Sequence, residues 1–467
     1  MSSYLPIPLG SRFTTTLQAF GQGDPRFDEA LPAAQIQQVA DDCDVHFGNG
    51  DDDIYTPAVT LWGFLAQVLS GSKSCVAAVA RIMVLRLTLD LTPCSANTGA
   101  YCKARQKLPE PFLQALTYTL GEAVEDQALD AWRWHQRRVL LVDGFECTMP
   151  DTPENQREYP QPRSQKPGLG FPMIRVVVLL AFATACLVGA AAGPHQGKET
   201  GEPALFRQLL DRLRAGDVVV ADRFYCSYWM IALLRQRGVD VAFRLHQLRL
   251  YDFRRGQRLG SEDHIVAWTK PERPDWMSAE LYAELPDTLT IRELRFQVKQ
   301  RGYRTKEIVV ATTLSDAEQY SKQEIADLYH ERWHVELDIR AIKQTLKMDH
   351  LSCKTPAMVR RELWVHLLGY NLVRKVMAVA ACAKGLQPRQ LSFAGAVQTL
   401  EEFRWLLQGS VAEAKLKVVL VLLLAVATHQ VGNRPGRVEP RAVKRRPKQY
   451  PRLMKPRDQA RAELLRD

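Results

Sequence analysis

Tyr329, Arg332, Glu336, Arg340 and Lys343 recur at intervals that only a helix turns into one surface. At about 100° per residue they fall within an arc of roughly 80°. One carboxylate and three cations on a shared face can hold a metal ion and a phosphate side by side. Solvated helices also carry such faces, lined with i,i+3 and i,i+4 pairs, so the company the face keeps decides its use. Two aspartates supply that company. Arg138-Val139-Leu140-Leu141-Val142-Asp143-Gly144 is a short apolar run closed by Asp-Gly, and Gly216-Asp217-Val218-Val219-Val220-Ala221-Asp222-Arg223 repeats the pattern. Three carboxylates converging from two strands and a helix suit hard divalent cations such as magnesium. Two such ions about 3.5–4 Å apart can activate an attacking oxygen and stabilise a leaving one. Phosphoryl transfer is the chemistry indicated, with Asp143, Asp222 and Glu336 as catalytic residues and metal ligands.

The elements that must carry these groups are legible around them. Leu328, Val335, Ile339, Ile342 and Leu346 form an apolar stripe beside the polar arc, so the helix can pack on a core while aiming its charges sideways. It is expected to begin near Ser321. The two apolar runs read as buried strands that end at Asp143 and Asp222, and residues 308–314 return as another strand.

The pattern Tyr-x2-Arg-x3-Glu-x6-Lys is met in full by Tyr329, Arg332, Glu336 and Lys343, and here the chain resembles the cut-and-paste DDE transposases of bacterial insertion sequences. Asp143-Gly144 and Asp222-Arg223 match that family's first and second acidic motifs, and Arg340 stands where many members carry lysine. The resemblance extends to Tyr101 through Arg105, Pro150 through Gln156, Gly197 through Glu202, and Tyr370-Asn371-Leu372, so it runs from about residue 50 to 400. Phe145-Glu146 departs from the small hydroxyl residues common after the first motif.

The resemblance implies a ribonuclease H-like α/β core, a mixed sheet flanked by helices, with two magnesium ions that manganese can replace. Asp143 would face both ions, Asp222 and Glu336 one each, and Tyr329, Arg332 and Lys343 would grip phosphates at the element's end. It further implies strand cleavage by activated water, a hairpin formed by the freed 3′-hydroxyl, and joining to target DNA. Double-stranded DNA, as element ends and target, is the expected partner of a homodimer. A β insertion that holds a displaced base is implied as well. Trp268 and Trp276 fall in the matching region and could stack on such a base, although either also reads as core.

The net charge of +10 is concentrated: residues 431–467 carry +8 of it, with five prolines among them. Such a tail cannot form a long helix and suits phosphate contact. The nine cysteines show no Cys-x-x-Cys and read as reduced thiols of a cytoplasmic protein, with no zinc site expected. No signal peptide is expected. Val176–Gly193 is uncharged and long enough to prompt a membrane reading. Its β-rich start, and the two adjacent strands a ribonuclease H-like topology needs there, argue instead for strands joined by a turn near Thr184. No membrane association is expected, and the apolar stretch 418–427 reads as a buried helix.

Six regions follow: an N-terminal helical domain (1–135), the first part of the core (136–245), a β-rich insertion (246–306), the second part of the core (307–385), a C-terminal helical region (386–430) and the basic tail (431–467). In the first, Val76 to Leu85 reads as one helix and Ser95 to Lys107 as a second. The second carries Lys103 and Arg105, which could meet DNA as in a helix-turn-helix or decorate a plain bundle. The reading is a DNA transposase. A ribonuclease H-like nuclease without strand transfer, or a non-catalytic DNA-binding derivative, would share many of these features.

Overall fold

The computed structural model describes residues 33–48, 50, 53–88, 90–297, 307–409, 412–432 and 452–465, with 404–409 and 412–416 as backbone only. Nine strands form one mixed sheet: β1 (Val139–Thr148), β2 (Met173–Ala181), β3 (Leu187–Pro194), β4 (Val218–Ala221), β5 (Asp240–Arg244), β6 (Gln257–Gly260), β7 (Asp263–Thr269), β8 (Thr288–Gln297) and β9 (Glu307–Thr312). Their order is β3-β2-β1-β4-β5-β9-β8-β7-β6. β1, β4 and β5 run parallel and every other pairing is antiparallel. The first five strands, in order 3-2-1-4-5, are the ribonuclease H-like sheet.

Both faces of this sheet are covered, which is why its inner strands are apolar without interruption. Leu141, Val176, Val178, Val218 and Val220 turn to one face, against α5 (Glu110–Asp126) and α12 (Pro356–Lys384). Their neighbours Leu140, Val142, Val177, Leu179, Val219 and Ala221 turn to the other, against α7 (Glu202–Arg207) and α8 (Tyr228–Gln236). Each fully buried aliphatic side chain contributes about 1.5–3 kcal/mol of transfer free energy. The uncharged run is indeed β2 and β3, joined by a turn holding the buried Thr184, and among the described residues no helix is long and apolar enough to cross a membrane.

The Tyr370-Asn371 pair serves that packing. Asn371 Nδ2 donates to Thr117 O (2.9 Å) and Leu187 O (2.8 Å), its Oδ1 accepts from Leu187 N (2.8 Å), and Tyr370 donates to Ala185 O (2.8 Å). Asn371 thereby satisfies backbone groups where α5 meets β3. The approach is so close that a Cβ on Gly121 would lie 2.1 Å from Leu187 O.

Two elements depart from expectation. β1 does not end at Asp143: it runs to Thr148 because β2 pairs with it from Leu140 to Thr148, whereas β4 accompanies it only from Val139 to Leu141. The helix bearing the polar arc does start at Ser321, with a capping box to Glu324, but it breaks into α10 (Lys322–His330), α11 (Trp333–Arg340) and a π turn over Ala341–Thr345. The insertion is β-rich as expected, and its strands continue the core sheet, since β8 pairs with β9 and β9 with β5. Residues 298–306 of the insertion lie outside the described residues.

On the N-terminal side, α1 (Ala33–Asp42), α2 (Pro57–Val68), α3 (Cys75–Thr88) and α4 (Gly99–Lys107) precede α5. α4 starts later than Ser95, with Asn97 Oδ1 accepting from Gly99 N at 2.7 Å. Lys103 is exposed, but Arg105 is 8% exposed, donates to Gln67 Oε1 (3.1 Å) and lies over the Phe64 and Tyr101 rings. Arg105 therefore holds α4 to α2 and is corrected from DNA contact to packing. Arg105→Ala is expected to cost about 1–3 kcal/mol in denaturant unfolding, while Lys103→Ala leaves the unfolding midpoint unmoved.

Short helices α6 (Pro153–Glu158) and α9 (Ala279–Glu284) lie between β1 and β2 and between β7 and β8, and the C-terminal side adds α13 (Phe393–Gly409), α14 (Ala412–Thr428) and a short α15 (Arg457–Leu464). Val419, Leu422, Leu423 and Val426 are buried, whereas Val421 and Leu424 on the opposite side are exposed, so the apolar stretch is a helix buried on one face only. Of the basic tail, 433–451 lie outside the described residues, and α15 is a short helix of eight residues near its end.

Candidate active site

The parallel ladder between β1 and β4 matches Val139 with Val218, Leu140 with Val219 and Leu141 with Val220. Carried two residues further, that register sets Asp143 level with Asp222. The chain bends away after Ala221, and Asp222 Oδ1 accepts from Phe224 N (2.8 Å), so the second carboxylate is held by its own turn. Asp143 Oδ1 accepts from Gly144 N (2.8 Å). Where β4 stops and β1 continues, both carboxylates reach the sheet's rim on one side.

Glu336 arrives from α11. Arg332 Nη2 donates to Glu336 Oε1 (2.9 Å), and its Nη1 lies 3.8 Å from Asp143 Oδ2. One guanidinium thus stands between the first strand acid and the helix acid. A cavity of about 390 Å³ opens here, lined by Asp143, Gly144, Glu146, Glu202, Glu336 and Lys343. Lys343 Nζ pairs with Asp349 Oδ1 (3.1 Å), whose carbonyl accepts from Thr148 N (3.0 Å) at the end of β1. Asp143, Glu336, Arg332 and Lys343 are therefore brought together, and Asp222 stands near enough to Asp143 for their charges to interact, outside the cavity's lining.

Tyr329 joins them from within the core: it is 5% exposed, packs on Phe296 and lies against Arg332 with Asp222 nearby, and burial pushes its phenol up to about 12. The remaining candidates stand elsewhere. Arg340 is exposed and donates to Gln344 Oε1 (3.0 Å), away from the carboxylates. Trp268 is 3% exposed, its Nε1 donates to Glu293 Oε1 (2.9 Å), and Arg249 covers its ring at 3.6 Å. It is core, not a free stacking platform. Trp276 is half-buried under the Arg207 guanidinium, 3.9 Å from its ring centroid, so its face is covered too.

The structure adds groups the motifs did not single out. Glu202, first residue of α7, lines the cavity beside Asp143 and accepts from Tyr225 Oη (3.2 Å). Glu146 accepts from Arg175 Nη2 (3.0 Å) and pairs with His195 Nδ1 (2.6 Å), while Arg175 Nη1 donates to Thr200 O (3.1 Å). These bonds fasten the loop that delivers Glu202. Of the Gly197–Glu202 stretch, the last side chain is the part that reaches the cavity.

Burial raises the Asp143 carboxyl to about 7; Gly144 N–H and Arg332 pull it down, and Glu202 and Asp222 push it further up. Glu202 is raised as well, chiefly by burial. Anionic Asp143 is thus costly in the folded chain. An aspartate whose folded pKa exceeds its unfolded value of about 3.9 destabilises the fold progressively as pH rises from about 4 to about 7, and fully above that. Asp143→Asn is therefore expected to melt above wild type at pH 8 in chelator. The difference should shrink toward pH 5, as paired thermal scans would show.

The chemistry of this donor set fits a hard divalent cation, since the groups are carboxylate oxygens and a cationic guanidinium already stands between two of them. Among the described residues no three His, Cys, Asp or Glu side chains close around one point; the arrangement is open, with Arg332 inside it.

A ribonuclease H-like sheet that brings two strand carboxylates and a helix glutamate to one rim defines a polynucleotidyl-transfer class of domain. The transposase DDE domain profile matches residues 134–372, half of the chain, and the protein belongs to that family. It is a DDE transposase. The transposase InsG for insertion sequence element IS4 of Escherichia coli K12 is 29% identical over 359 residues, 76% of this chain and 78% of that protein. The putative transposase InsZ of the same organism is 26% identical over 108 residues, 23% of this chain and 35% of its own. A piggyBac transposase synaptic complex with hairpin DNA covers 92% of this chain and 87% of its own at 9% identity and TM-score 0.42, too loose a likeness to carry weight. Membership of the DDE family implies use of divalent metal.

Proposed function

We propose that this transposase cuts the ends of its own insertion sequence and joins them to target DNA, with Asp143, Asp222 and Glu336 as its catalytic carboxylates. The observation that carries this is the Arg332 guanidinium between Asp143 and Glu336, beyond a β1–β4 ladder whose last pair, Leu141 with Val220, stands two residues before Asp143 and Asp222. These three residues would hold two magnesium ions, which when bound polarise the attacking oxygen and stabilise the leaving one. Arg332 and Lys343 would bind the scissile phosphate, exchanging their carboxylate partners for its oxygens. The freed 3′-hydroxyl attacks the opposite strand to give a hairpin, and after reopening attacks target DNA. Positioning is the protein's main contribution to such in-line transfers.

Exposed Lys103 and the basic tail would add contacts to DNA phosphates, whose strength falls with salt. We place the reaction in the bacterial cytoplasm, on a homodimer that pairs two ends. In domain terms, α1 to α5 form the end-binding part, β1–β5 with β9–α12 the core, β6–β8 the insertion, and α13–α14 a supporting region.

The test is incubation with magnesium and a DNA fragment carrying the gene's own flanking ends, with products resolved on a denaturing gel. Nicks at the ends followed by hairpins and joined molecules support the proposal. Breaks without joining would make the protein a nuclease, and binding without breaks under magnesium or manganese would make it a non-catalytic derivative.

A further inference from the structure

Glu202 occupies a place that none of the three acidic motifs explains. Its side chain lies over β1 at Gly144, where an added Cβ would sit 2.5 Å from Glu202 Cδ and 2.6 Å from Oε1. The backbone of Gly144 lies in ordinary extended conformation within β1, so the absence of a side chain there serves the glutamate and not a turn. The other carboxylate oxygen, Oε2, accepts from Tyr225 Oη (3.2 Å). Tyr225 is fully buried, stands three residues beyond Asp222, and packs edge-on against Phe206 of Glu202's own helix, centroids 5.6 Å apart. One side chain therefore touches both the strand bearing Asp143 and the turn bearing Asp222.

We infer that Glu202 is a positioning residue that fixes the Asp143 strand against the Asp222 turn, through contact with Gly144 and the hydrogen bond from Tyr225. This rests on the assignment of Asp143 and Asp222 as catalytic carboxylates. β1 and β4 cease to pair before either aspartate, so nothing in the ladder itself sets their separation at the rim. Glu202 supplies the missing brace, on a loop fastened by Arg175 and Glu146. Shape and hydrogen-bond acceptance are the properties it contributes, and a glutamine retains both.

The experiment compares end cleavage, end binding by gel shift and thermal melting for the full-length wild type, E202A, E202Q, Y225F and the E202A/Y225F double variant, with D143N as the floor. E202A is expected to slow cleavage about 10–100-fold, as misplacement of reacting groups does, with end binding within about twofold of wild type. E202Q should recover most of that loss, Y225F should fall in the same direction, and the double variant should be no slower than E202A, because both changes break one link. E202Q as slow as E202A would overturn the proposal in favour of a role for the charge. Additive losses in the double variant would also overturn it. If wild type cuts, D143N does not, and E202A cuts like wild type, the inference fails while the transposase assignment stands; if wild type itself never cuts, that assignment fails. Should E202A not fold, E202Q and Y225F decide: fast E202Q with slow Y225F supports the brace, and the reverse order refutes it.

Discussion

Glu336→Gln is expected to lower end cleavage by on the order of 10³-fold or more while the protein still binds its DNA ends and keeps its fold. The substitution is nearly isosteric, so packing of α11 through Val335 and Ile339 is untouched. What disappears is one negative charge among three carboxylates, and a neutral amide oxygen is a poor ligand for a hard divalent ion. Arg332 loses its 2.9 Å carboxylate partner and keeps Asp143 and incoming phosphate, so DNA affinity should hold or rise slightly. Single-turnover cleavage and gel-shift titrations on one preparation separate the two quantities. Cleavage within tenfold of wild type would remove Glu336 from the catalytic set.

Asp338→Ala is expected to destabilise the fold by about 3–5 kcal/mol, the cost of stranding buried charge. Asp338 sits two residues past Glu336, 2% exposed. Its Oδ1 accepts from Arg374 Nη2 (2.5 Å) and its Oδ2 from Arg389 Nη1 (2.7 Å). Arg374 also reaches Tyr370 Oη (2.9 Å), and Arg389 reaches Phe182 O (2.6 Å) and Ala181 O (3.0 Å) at the end of β2. Removing the carboxylate leaves two guanidiniums buried without their counter-charge. Since natural stabilities are about 5–15 kcal/mol, the loss is a large share of the total. Denaturant unfolding measures it, and Asp338→Asn, which keeps an acceptor, should lose less. A change below about 1 kcal/mol would mean that water reaches the arginines.

What the sequence disclosed, and what it hid, follows from how each signal is encoded. The strands that carry Asp143 and lead into Asp222, and the helix that carries Glu336, were legible because strand runs and helical spacing are local patterns, and the β2–β3 pair because an uncharged run with β-branched residues has few other uses. The extent of β1 beyond Asp143 was hidden, since it depends on β2 as a partner and not on β1's own residues. Trp268 and Arg105 could not be decided for one reason: an indole or guanidinium buried against Glu293, or against Gln67 and two rings, looks in sequence like one on the surface. Glu202 escaped notice because its meaning lies in Gly144 and Tyr225, 58 residues before it and 23 after. The break at Glu331-Arg332 is likewise invisible to periodicity, which continues across it in phase.

Because β9 bridges β5 to β8 by backbone hydrogen bonds, the insertion shares a cooperative unfolding unit with the core. Amide hydrogens of β8 should then exchange with those of β5 and β9 in one concerted opening, and not at the lower free energy of a tethered module. A pull transmitted by bound DNA to the outer strands would be felt at β5, beside Asp222, as shear along a continuous ladder. The outer half of the sheet is in this sense a lever rooted at the second carboxylate.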